Sequence, residues 1–105
     1  MKSHDQIDER SLELHELVAD KLARNPALLE RAQANLSRWL SARPDELALQ
    51  EWQEILSRLQ LQDVIGLLRS GTEDAARLRQ SSPFVGILSS DERHTIFAHY
   101  AVARA

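Results

Sequence analysis

Histidine and carboxylate side chains are the groups in this chain most able to do chemistry, and their spacing limits what that chemistry is. The histidines are His4, His15, His94 and His99. Two rings on one helix share a metal ion when they are three or four residues apart, because that step keeps both on one face. The five-residue step from His94 to His99 turns the rings about 140° apart. His15-Glu16 lacks the second histidine of an H-E-x-x-H zinc motif. These spacings predict solvated or helix-surface histidines and no metal site. Glu9, Glu13 and Glu16 follow one another at four- and three-residue steps along one side of a first helix, and Glu51 and Glu54 flank Trp52. General acid–base work needs a desolvated carboxyl with a raised pKa, and these positions read as solvated. The E-x-x-H pairs of a carboxylate-bridged metal bundle are absent. Gly66, Gly71 and Gly86 are too scattered to form a phosphate cradle. Ser81 and Ser82 have no histidine near them in sequence and read as capping and turn residues before Pro83. No catalytic residue, cofactor or metal ligand is therefore expected, and the chain does not read as an enzyme.

Binding chemistry has two candidates. The first lies around Gly71, where two short helices could form a helix-turn-helix with Arg77, Arg79 and Gln80 on its second helix. Glu73 and Asp74 oppose that reading, because they occupy the first turn, where a recognition helix meets phosphates and base edges. The second is the run at residues 83–88, which puts Phe84, Val85, Ile87 and Leu88 in a connection where polar residues are usual. One reading folds this run over the open end of a bundle as a plug. The other makes Phe84 and Ile87 anchors for a partner, with Arg77 and Arg79 as a polar rim. Trp39 and Trp52 fall on apolar stripes and read as core.

The elements that must position these groups are helices. The 105 residues suit a single domain, residues 1–105, with 43% apolar and 28% charged residues. The apolar set is mostly Leu and Ala, which favour helix. Ile7, Leu14, Leu17, Val18 and Leu22 predict a first helix over residues 8–24, with residues 1–6 frayed. Asn25-Pro26 starts a second, over residues 26–42. Pro44-Asp45 starts a third, which loses its phase near residues 58–61 and passes into a short fourth stripe ending at Gly71, a natural left-handed cap. Thr72 caps a fifth helix reaching Gln80. Ser89 and Glu92, three apart, form a capping box before a last helix with Ile96, Phe97, Tyr100 and Ala101 on one face. The fold class is all-α, an irregular bundle of five or six short helices.

The chain has no cysteine, so neither disulfides nor thiolate metal sites enter. Its charged N-terminus lacks the apolar stretch of a signal peptide, and no apolar run approaches a membrane span, which makes cytoplasmic the expected location. Residues 1–20 carry two basic against six acidic residues, a local net of −4 in a chain whose net charge is −3. That balance does not favour nucleic acid as the partner. Eleven of the thirteen basic residues are Arg, which is enriched at protein interfaces.

The stretch from Arg77 to Ser89 (Arg-Leu-Arg-Gln-Ser-Ser-Pro-Phe-Val-Gly-Ile-Leu-Ser) resembles a segment near the C-terminus of small, uncharacterised bacterial helical proteins. Arg10-Ser11-Leu12-Glu13-Leu14-His15, Asn25-Pro26-Ala27-Leu28-Leu29 and Trp39 fit the same likeness. Such proteins look like the partner component of two-gene toxin–antitoxin or phage-defence modules. The resemblance implies an antitoxin or immunity-type neutraliser whose partner is a toxin from a neighbouring gene. It assigns no functional residues. In the leading reading Glu9, Glu13 and Glu16 steer toward a basic partner surface, while Phe84 and Ile87 supply anchors. The alternatives are a DNA-binding regulator using the helix after Gly71 and a structural helical subunit, with homo-oligomerisation open.

Overall fold

The computed structural model describes residues 2–102, with side chains from Ile7 to Tyr100. Among these residues six α-helices and one short 3-10 turn form the regular structure, with no strand. They are α1 (Lys2–Arg24), the 3-10 turn (Pro26–Leu28), α2 (Leu29–Ala42), α3 (Leu47–Arg58), α4 (Leu61–Arg69), α5 (Glu73–Arg79) and α6 (Ser90–Val102). The expected all-α architecture is present. None of these helices is long and apolar enough to cross a membrane.

The longest helix, α1, has 23 residues, about 34 Å at 1.5 Å per residue, and begins at Lys2, not near residue 8. It is the hub: α4, α5 and α6 all pack on it, while α2 pairs with α3. Pro26 ends it as expected, but the chain makes a 3-10 turn before the α-helical hydrogen bonds of α2 begin at Leu29, and the Asn25 side chain makes no cap. The loss of phase near residues 58–61 is a real break. Leu59 and Gln60 adopt extended dihedrals, which turns the chain between α3 and α4.

Two expected caps form. The Thr72 hydroxyl accepts the Ala75 N–H at 3.2 Å. At the start of α6 the Ser89 N–H donates to Glu92 Oε1 at 2.7 Å, and the Glu92 N–H donates to Ser89 Oγ at 3.1 Å. Gly71 is not the left-handed cap expected of it, since among the described residues Gly86 alone has positive φ, at 89°. The chain leaves α4 through an extended Ser70 instead.

The core collects Val18 and Leu22 of α1, Leu36 of α2, Leu49 and Leu56 of α3, and Val64 and Leu68 of α4 around Trp52, which is fully buried. Trp52 donates its indole N–H to the Leu78 carbonyl at 2.8 Å, so the polar edge of the largest core residue is satisfied. Phe84 packs edge-on against Trp52, ring centroids 5.6 Å apart. The run at 83–88 is therefore a plug: Pro83, Phe84 and Ile87 are buried and Val85 faces solvent. Trp39 is only half-buried at the margin of this core.

Replacing Phe84 by Ala should cost about 3–5 kcal/mol, the range for emptying a buried aromatic site. Urea unfolding followed by circular dichroism should show a lower midpoint with the slope kept. An unchanged midpoint would place the ring outside the core.

Candidate interaction pocket

Residues 82–88 have no helix or strand of their own, so their buried backbone groups need partners from elsewhere. Side chains of α1 and α2 supply them. Asn35, itself buried, donates from Nδ2 to the carbonyls of Pro83 at 2.8 Å and Val85 at 2.9 Å. Its Oδ1 accepts from Arg38 at 2.8 Å, which fixes the amide orientation. Arg31 donates to the Gly86 carbonyl at 2.8 Å and Lys21 to that of Ile87 at 3.2 Å. Lys21 also pairs with Glu92, tying the same region to α6.

The fifth tie is a serine–histidine pair. His15 Nδ1 bonds the Ser11 carbonyl at 2.7 Å, which requires the proton on Nδ1 and leaves Nε2 as the acceptor for the Ser82 hydroxyl at 2.8 Å. Ser82 Oγ accepts the Phe84 N–H at 3.2 Å. A hydroxyl on an oriented neutral imidazole has the geometry of a nucleophile and its base. Acyl transfer also needs donors aimed at a developing oxyanion, and the Phe84 amide points at Oγ itself. In this network the pair fastens the segment to α1.

The expectation that the histidines are solvated or on a helix surface is corrected at His15, which is buried. Ser82 meets it from 67 residues away, so adjacency in sequence carried no sign of the pairing. A sign of burial was present: His15, Val18 and Leu22 follow at three- and four-residue steps on the apolar stripe of α1. Burial is the largest influence on His15 and lowers its pKa below 6.5, with Arg79 acting the same way and the Ser11 carbonyl opposing.

Beside this pair lies a pocket of about 180 Å³. Leu14, His15 and Val18 of α1 form one wall. Ser82, Phe84, Val85, Gly86 and Leu88 form the other, and Arg93 of α6 stands at its edge. Val85, 59% exposed, leaves an apolar lip. A larger cavity of about 290 Å³ lies beyond Ser82, between Trp39, Arg43, Glu46 and Gln80, and is more polar. Among the described residues no group of three or more His, Asp or Glu side chains is placed to hold a metal ion.

The expected site residues do not come together. Phe84 and Ile87 are buried, so neither is presented as an anchor, because each fills the core under the segment. Arg79 points inward and is 5% exposed, donating to the Ser70 carbonyl at 2.6 Å with its Nε unpartnered; it is no surface rim. Arg77 is exposed but held by both oxygens of Glu51 at 2.9 Å and by Asp74 Oδ1 at 2.9 Å. That bond pulls the Glu51 carboxyl below its ordinary pKa. The helix after Gly71 thus presents neither arginine freely to a DNA groove. Glu13 is committed within the fold, accepting from the Tyr100 hydroxyl and pairing with His99 Nδ1, each at 3.0 Å. Glu9 and Glu16 are exposed on α1. Of the residues expected on the last helix's apolar face, the Ala101 side chain lies outside those described.

Because folding favours neutral His15, stability should be complete above pH 6.5. It should decline as pH falls from there through the lowered folded pKa, by up to about 1.4 kcal/mol per pH unit. Urea midpoints between pH 7.5 and 5 should show that decline in the native chain and a shallower one in His15→Gln. Equal slopes would mean that another group governs the acid response. No protein-family model, curated protein or solved structure matches this chain, so the geometry of the pocket has to carry the functional reading.

Proposed function

We propose that this chain is a protein-interaction module, an antitoxin or immunity-type neutraliser, that receives an apolar side chain of its partner in the pocket between α1, residues 82–88 and Arg93. One observation carries the reading: an apolar-walled cavity with an exposed Val85 lip is built on a segment held by four side chains. A surface fixed before binding loses little entropy on association, and a concave apolar site with a charged edge is the usual form of a binding hot spot. The sequence resemblance to partner components of two-gene modules supports the same reading. In this reading Val85 and the pocket mouth replace Phe84 and Ile87 as contact residues.

Co-expression with the product of the adjacent gene, followed by light scattering of the purified material and a growth assay, tests the reading. The expected result is a stoichiometric complex and rescue of growth. Val85→Glu should weaken that complex at least about tenfold, or about 1.4 kcal/mol, without moving the thermal melt of the free chain. A lone monomer that ignores the neighbour overturns the neutraliser reading. A complex indifferent to Val85→Glu moves the contact elsewhere.

A further inference from the structure

Arginines gather around the pocket in a chain that is acidic overall. Arg93 stands at its edge. Arg31 lies against the Gly86 wall, bonded to the Gly86 carbonyl, with its Cδ 3.6 Å from where a β-carbon on Gly86 would be. Arg10 and Arg93 both approach Phe97, their guanidinium carbons 4.9 and 5.8 Å from the ring centroid. Among the described residues none of these three arginines pairs with a carboxylate, whereas Arg58, Arg69 and Arg77 all do. Stacking on a ring leaves guanidinium N–H donors open, and those donors match a carboxylate bidentately. Two of the nearby acids are occupied. Glu92 pairs with Lys21, and Glu13 with His99 and Tyr100. The exposed Glu9, Glu16 and Asp91, like Arg10 and Arg31, stand outside the pocket wall, which leaves Arg93 as its one charged lining residue.

The cavity has the scale of a single side chain: an apolar void of about 150 Å³ holds a benzene ring, and this one measures about 180 Å³. The Ser82 hydroxyl and the His15 imidazole are bonded to each other, so the polar atoms in the wall are already paired.

We propose that the segment received here is acidic, with one Phe- or Leu-sized side chain in the pocket and flanking carboxylates on Arg93 and Arg31, and with Arg10 adding to the field. This rests on the interaction reading above and reverses the sign of partner that the acidic first helix suggests. Three guanidinium groups would also attract phosphates, but an apolar-walled site of side-chain size beside Arg93 favours peptide.

The test uses the full chain, isotope-labelled, titrated to millimolar concentration with a blocked Asp-Glu-Phe-Glu-Asp peptide. Comparators carry Ala for Phe, or Lys for each acid, and an oligothymidine is a fourth probe. Amide shifts should concentrate at Leu14, Val18, Val85, Gly86 and Arg93 with the acidic Phe peptide. Affinity should fall at least about tenfold with either comparator, in Arg93→Glu and in Arg31→Glu, and should weaken between low and 0.5 M salt. Unchanged thermal melts of both variants show that the fold is intact. Equal or tighter binding of the lysine peptide overturns the acidic assignment and leaves the pocket as an interaction site. Absence of pocket shifts with every peptide, while the co-expressed partner still binds, overturns this site as the receptor. Displacement of the peptide by oligothymidine at the same amides overturns it in favour of phosphate.

Discussion

Seating Pro83, Phe84 and Ile87 in the core obliges the helices around residues 82–88 to satisfy a backbone that forms no repeating hydrogen-bond pattern. A buried carbonyl left without a donor costs about 1–3 kcal/mol, and this segment places several beside the core. Asn35 is the central answer, because one amide group meets two of those carbonyls and is itself held by Arg38. The segment cannot move without breaking that pair of bonds. The position of Phe84 under Trp52, the closure of the bundle and the shape of the pocket all depend on it.

The serine–histidine pair extends the same constraint to α1. Its imidazole must stay neutral and in one tautomer to accept from Ser82 while donating to the Ser11 carbonyl. The edge contact of His15 with Phe84, centroids 6.4 Å apart, makes the ring part of the apolar packing as well. A polar residue placed in this way trades stability in acid for a defined geometry, since an apolar ring would fill the space without holding the hydroxyl.

Arginine does three different jobs here, and the differences explain where recognition can occur. Arg77, clamped by two carboxylates, braces α5 to α3 at the surface, where such pairs add little stability. Arg79 is buried and serves one carbonyl, so it fastens the turn between α4 and α5. Among the described residues Arg10, Arg31 and Arg93 meet a ring or a carbonyl and no carboxylate. Overall net charge hides that separation. A chain of net −3 can still place an arginine at the wall of an apolar pocket.

Much of the fold was legible in the residues. Leucine and alanine at three- and four-residue spacing set helices, Pro26 and Pro44 set breaks, and Thr72 and the Ser89–Glu92 pair set helix starts, because each acts within one turn of chain. Gly71 misled for the same local reason: a glycine permits a left-handed cap, and only the path of the neighbouring chain decides whether it is used. The site was not legible. Its parts come from α1, from α2, from residues 82–88 and from α6, and the bond that joins His15 to Ser82 spans 67 positions. Whether an arginine faces water, a carboxylate or a core carbonyl depends on which helices meet. Sequence therefore determined the helices and most of their ends, through short-range sterics and hydrogen bonding. Only the packing of α1 against the plug decided which side chains are buried and where an apolar pocket opens beside Arg93.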